Sequence, residues 1–429
     1  MANFDWQTED EQLWEAQDSA PLGTRGWMRH LLPVGLVLAL LVVLGVVLYR
    51  MAQEQVETAE QEVTEHVLSS YQLLRVAAQG RDEELLLSLL SGREPVWTET
   101  QVALLQQRGG LFDRSALGLQ ALPLTGTEGV VDVILEPSLQ EAVVTVEQPY
   151  AIDVGNGLTE TVFLRHELIF RRGTSRWLYA PPEDEAAYWG ERARYEGRSL
   201  ALLYPTRDRA LVRRLAADLD PLVAAGWVAA GLDYTPRALS VRLTADPRVL
   251  VTLNQYNALL QAAPQLTLPT PAVVGEPVDG AAYRALYRGY ARHLVGHVLV
   301  TGTGYTCCDH DVFYTAALNH YLADIGLLPA PPPPTIPATD PFVNATPRLD
   351  ELIRLSAVSG ARTLLPAHRA ALHGFVSFLV VEGIEPVEML RVGALTPETL
   401  SLFFEDRSRQ EIEVRWQQYM RNYILAQVG

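Results

Sequence analysis

The run "LLPVGLVLALLVVLGVVLY", Leu31 to Tyr49, carries no charged residue and is bounded by Arg29 and Arg50. A helix rising about 1.5 Å per residue over it spans roughly the hydrocarbon thickness of a bilayer. A buried core helix is rarely apolar all round over this length, as this run is. A single N-terminal transmembrane helix over 31–49 is therefore expected. A cleaved signal peptide fits less well, because a polar segment precedes the run and no small-residue cleavage site follows promptly.

Arg25 and Arg29 precede the run and Arg50 follows it, so the charge asymmetry across it is small. The acidic arm at 1–30 is short and easily left in the cytoplasm. We expect the N-terminus inside and the folded remainder outside the cell membrane. Trp6 and Trp14 fit a disordered arm or one face of a short partner-binding helix, and Trp27 an interfacial anchor. Residues 50–63 read as a helical linker.

With 429 residues and 48% apolar content, the chain is long enough for two globular cores beyond the membrane run. Its net charge is −17, and every one of the 34 basic residues is arginine. No basic face is available to displace phosphate counterions, so no nucleic-acid partner is expected. The two cysteines, Cys307 and Cys308, are adjacent. A bridge between neighbours closes a strained ring, so two half-buried thiols are expected and no disulfide framework.

The fold class expected is α+β. After the run, Val63, Val67, Tyr71, Leu74 and Val76 approximate a helical stripe. Then "GVVDVILEP", "EAVVTVEQPYAIDV", "ETVFLRHELIFRRG" and "RWLYAP" alternate apolar and polar residues between turn signals. Helices followed by an antiparallel sheet make an α+β unit over 64–195. This element order, with the closing hairpin "TVFLRHELIFRRGTSRWLYAPPEDEAAYWG", resembles the nuclear transport factor 2-like fold, a cone of curved antiparallel sheet round a helix. The resemblance implies a fold and no function. Asp153, His166 and Glu167 are candidate acid/base groups in such a cone, although residues on an alternating strand also fit a solvent-facing role.

From 196 the pattern changes to strand, amphipathic helix, strand and short helix, and then mostly helices. The proline run "PAPPPP" from Pro329 reads as a stiff surface connection. Within this half, His293 and His297 stand at i and i+4, so both lie on one helix face and can converge on one metal. A lone pair of this kind is a weak signal. Here "ARHLVGHVLV" is followed by "FYTAALNHYLADIGL" and by a helical tail ending in "EIEVRWQQYM".

These three features, in this order, resemble the gluzincin-type, peptidase MA-like metallopeptidases over 197–427. The resemblance implies two zinc-binding histidines, a glutamate general base just after the first, and a third glutamate ligand on the following helix. Leu294 stands at the base position and Ala316 at the third-ligand position. Loss of a general base alone costs about 10²- to 10⁴-fold, and two imidazoles underfill a tetrahedral zinc site. Cys307, Cys308, Asp309, His310, Asp311 and His320 could complete a metal site instead. Otherwise the two histidines sit hydrogen-bonded in a cleft beside Leu286, Tyr290, Leu294 and Val298.

The function expected is that of a membrane-anchored extracytoplasmic binding or scaffolding protein with an inactive zinc-peptidase-like domain: a peptide or protein ligand, no cofactor and no hydrolysis. The alternatives are a membrane-anchored zinc hydrolase with replaced ligands, and a structural, oligomeric part of an envelope assembly.

Overall fold

The structure is a computed structural model. It describes residues 27–107, 110–155, 157–232, 238–255, 258–261, 265–331, 346–358 and 364–428, without the side chains of 27–35, 37–39 and 423–428. The arm with Trp6 and Trp14, and the proline run beyond Pro331, lie outside the described residues.

The chain forms two compact units, Met1–Val63 and Thr64–Gly429. In the first, helix α1 (Trp27–Gly80) carries the apolar run, and Leu36, Leu40, Leu41, Val42 and Val43 are exposed along it. Among the described residues no helix is long and apolar enough to cross a membrane. The described residues thus give the expected span no support, and the side chains of 31–35 and 37–39 lie outside them.

In the second unit the last turns of α1 bury Val67, Tyr71, Leu74 and Ala77. Val76, expected in this stripe, is exposed. Ala77 takes its place because a step of three from Leu74 keeps the helical period and a step of two does not. Helices α2 (Glu83–Leu89) and α3 (Pro95–Gln106) follow.

A curled antiparallel sheet comes next: β1 (Gln120–Ala121), β2 (Val130–Leu135), β3 (Glu141–Gly155), β4 (Leu158–Arg172) and β5 (Trp177–Ala180). Strands β3 and β4 pair along almost their full length, from Glu141↔Arg171 to Gly155↔Leu158. Their period-two burial puts Ala142, Val144, Val146, Val162 and Leu164 on the inner face.

Helix α4 (Glu185–Trp189) leads into a second, mixed sheet of β6 (Arg192–Glu196), β7 (Leu200–Pro205), β8 (Leu239–Thr244) and β9 (Leu266–Pro269). Strands β7, β8 and β9 run parallel, joined through α5 (Arg209–Ala229) and α6 (Arg248–Leu253). Asp220 of α5 fixes the start of β7. Its carboxylate accepts from the backbone N–H of Arg198 (3.1 Å), Ser199 (2.8 Å) and Leu200 (2.7 Å). Hydrogen bonds to a charged acceptor contribute ~1.5–3 kcal/mol, so Asp220→Ala is expected to lower stability by about 2 kcal/mol. Urea denaturation checks this, with Asp220→Asn expected to lose less because it retains one acceptor oxygen.

The expectation of a mostly helical second half is met only in its later part. After α7 (Pro271–Val274), β10 (Glu276–Pro277) pairs with β4 and so extends the first sheet. Then come α8 (Gly280–Thr303), α9 (Asp311–Asp324), α10 (Leu349–Ser356), α11 (Pro366–Val381), α12 (Pro386–Val392), α13 (Pro397–Phe403) and α14 (Arg409–Val428). Trp416 of α14 is fully buried against Phe375 and Phe378, and its indole N–H donates to the Pro347 carbonyl (2.8 Å). One apolar core runs from Tyr150 and Leu164 of the curled sheet through Leu286 and Leu294 of α8 to Trp416.

Candidate functional site

Helix α8 begins where the Asp279 side chain accepts from the Ala282 N–H (2.8 Å) and ends at left-handed Gly304. His293 and His297 lie on it, both buried. A single turn of 3₁₀ helix, Ser115–Leu117, packs across this helix from the α3–β1 connection. The Ala116 carbonyl sits 2.9 Å from His293 Nε2. A carbonyl only accepts, so Nε2 carries the proton and donates. Burial, reinforced by the Arg292 charge, pushes the His293 pKa down to about 4, and the ring is neutral at physiological pH.

Gly289, one turn earlier, makes the approach geometrically feasible. A Cβ there would stand 2.6 Å from the Leu117 carbonyl oxygen and 2.9 Å from Leu117 Cβ. The turn thus lies on the helix backbone itself.

The other predicted residues do not converge on His293 and His297. Leu294 and Ala316 are packed in the core. Cys307 and Cys308 form a disulfide across a cis peptide, not the expected pair of thiols, their Cα atoms only 3.0 Å apart. In that form neither sulfur offers a thiolate to a metal. The Asp309 carbonyl accepts from the Tyr305 hydroxyl (2.6 Å), and Asp311 is buried at the start of α9. His310 Nδ1 is 3.1 Å from Ser356 Oγ, and His320 Nε2 is 3.1 Å from Ser377 Oγ, so each is tied to a different helix. Among the described residues no group of three or more His, Cys, Asp or Glu side chains could hold a metal ion. The donors present do not fit a tetrahedral zinc site.

A larger opening than the one beside His293 lies elsewhere. A half-open cavity of about 730 Å³ is lined by α3, β4 and β5, and the carboxyl ends of β7 and β8. Crevices at the carboxyl ends of parallel strands are a common ligand position. Its aromatic lining includes Trp97, Phe112, Tyr179, Tyr188 and Trp189. The Glu167 carboxylate, on its wall, accepts from Arg207 Nη2 (2.5 Å) and from the Tyr188 hydroxyl (3.1 Å). The Arg207 guanidinium also lies 4.0 Å from the Tyr188 ring centroid, a cation–π contact. Arg248 and Asp246 add a second ion pair at 2.5 Å.

His166 lines the same cavity. The Tyr150 hydroxyl donates to the Phe112 carbonyl (3.2 Å), leaving its oxygen to accept from His166 Nε2 at 2.9 Å. Burial, with the charges of Arg114 and Arg75, holds His166 well below its ordinary pKa. Of the three groups proposed for a cone, the structure brings His166 and Glu167 to the cavity. Asp153 instead accepts from the Gly155 N–H (2.8 Å) at the far end of the β3–β4 hairpin.

Sequence reasoning missed Arg114, whose Nε and Nη2 donate to the carbonyls of Val274 (3.2 Å) and Val273 (3.0 Å) and tie the curled sheet's approach loop to α7. It also missed Asp208, which accepts from Thr270 Oγ1 and the Ala272 N–H (3.3 Å) behind the cavity. Burial pushes the Asp208 pKa up to about 6. Compared with protein-family profiles, curated proteins and solved structures, the chain matches none.

Proposed function

We propose that the chain is a single-span membrane protein with its N-terminus in the cytoplasm, whose outer unit binds a peptide or protein ligand and does not hydrolyse it. The uncharged run from Leu31 to Tyr49 supports the anchor. We read the first sheet as nuclear transport factor 2-like and the helical part as a peptidase MA-like domain that has lost its chemistry.

The observation that carries the reading is the hydrogen bond from His293 Nε2 to the Ala116 carbonyl. It engages the imidazole nitrogen beneath a turn of the neighbouring sheet's approach loop, while Leu294 and Ala316 offer neither base nor ligand. The large cavity supports a peptide as ligand. Aromatic faces beside paired charges of both signs suit a chain that alternates apolar and polar groups.

Metal analysis by mass spectrometry of full-length protein, purified without chelator or affinity tag, tests this. Wild type and the His293→Ala/His297→Ala variant are both expected to carry far less than one zinc per chain. One zinc per chain in the wild type, lost in the double variant, would sink the binding reading in favour of a hydrolase. An N-terminal arm labelled from outside whole cells would overturn the topology.

A further inference from the structure

The turn that covers His293 also flanks, with α6 and α8, a smaller open cavity of about 190 Å³. Arg292 lines it, and its Nε is buried without a hydrogen-bond partner. Burial pushes the Arg292 pKa down, but a guanidinium remains charged under all physiological conditions. A guanidinium donor buried without a partner is costly, and a carboxylate is the group whose geometry a guanidinium fork matches.

Among the described residues, no acidic one lines this cavity. The carboxylate on the same turn, Asp113, is engaged otherwise: it accepts from the Ser115 N–H (3.0 Å), the Ser115 hydroxyl (2.8 Å) and Asn254 Nδ2 (3.3 Å). His293, on the cavity wall, is neutral and donates to Ala116. One positive charge therefore stands without a negative one in the lining, which suits a monoanion better than a phosphate dianion. Leu253, Leu259 and Ala116 supply apolar wall. At about 30 Å³ per water-sized group the space holds about six such groups, enough for a carboxylate and a short aliphatic chain.

We propose that this cavity binds a short aliphatic carboxylate, as a free acid or as a peptide C-terminus, with its oxygens paired to the Arg292 guanidinium. The inference does not depend on what the larger cavity takes.

Calorimetric titration of the full chain in detergent with isobutyrate, N-acetylalanine, N-acetylalaninamide and inorganic phosphate tests it. Saturable binding is expected for the two carboxylates and none for the amide. Arg292→Met is expected to weaken carboxylate binding by at least ~10-fold. Arg292→Lys, which keeps a charge but loses the fork, is expected to fall between and carries the test if Arg292→Met does not fold. Tighter binding of N-acetylalanine than of isobutyrate identifies a peptide C-terminus as the source, and the reverse order a free acid. Equal binding of acid and amide, preference for phosphate, wild-type affinity in both variants, or no saturable binding at all would overturn the site.

Discussion

Lowering the pH from about 7 to about 5 is expected to destabilise the folded protein by a net ~3 kcal/mol. His293 and His373 are each held at a pKa of about 4, against an ordinary value of 6.5. The main cause in both is burial; the Arg292 charge adds to it for His293, and the His320 and Arg369 charges for His373. Both rings stay neutral in the fold while the unfolded chain takes up protons below its ordinary value. Stability from a depressed histidine is thus present above the unfolded pKa and lost as pH falls toward the folded one. Each histidine loses about 2 kcal/mol by about pH 5. His166, depressed by burial and by Arg114 and Arg75, pulls the same way.

Asp208 opposes them. Burial raises it to about 6 from an ordinary 3.8, so its contribution grows as pH falls through that range. It regains about 1 kcal/mol by about pH 5, too little to offset two histidines. Urea midpoints at both pH values give the slope, and His293→Gln and His373→Gln should each flatten it. A protein equally stable at both pH values, or more stable in acid, would show that these rings are not held neutral.

The parts of the fold legible in the sequence are those where one face of one element carries the signal. Strands β3 and β4 bury Ala142, Val144, Val146, Val162 and Leu164 at alternate positions, and a period of two needs no partner to be recognised. The same holds for α8, whose spacing places His293 and His297 on one face. Pairings between distant segments left no such mark. Strand β10 is two residues long and joins β4, more than a hundred residues earlier, through Glu276↔Arg165 and Pro277↔Leu164. Nothing local in "VVGEPVDG" specifies that edge.

The site was legible in its residue types and not in its surroundings. The decisive group beside His293 is a backbone carbonyl, and a carbonyl has no residue-type signature. The large cavity draws its walls from α3, both sheets and α7, so its composition is dispersed along the chain. The bridge between Cys307 and Cys308 has no account in the spacing argument, which weighs only ordinary, well-separated pairs.

Gly289→Leu is expected to cost at least ~3 kcal/mol, the upper end of overpacking effects. A glycine inside a helix is less favourable than alanine by about 1 kcal/mol, so propensity alone favours replacement here. Sterics oppose it more strongly. The first added carbon would meet the Leu117 carbonyl oxygen at 2.6 Å, and that oxygen belongs to backbone with no rotamer to retreat into. Gly289→Ala should therefore lose a net ~1–2 kcal/mol, and the larger side chain must move the Ser115–Leu117 turn. Moving it uncovers His293, whose reactivity toward an imidazole-modifying reagent should rise toward that of exposed His66, the internal standard. Unchanged stability and unchanged reactivity in Gly289→Leu would remove the turn as the cover of this face. The same variant separates two causes of an inert histidine pair. If the turn alone silenced it, opening the face would confer zinc binding. With Leu294 and Ala316 where a base and a third ligand would stand, the opened protein should gain reactive histidine and still take up no stoichiometric zinc.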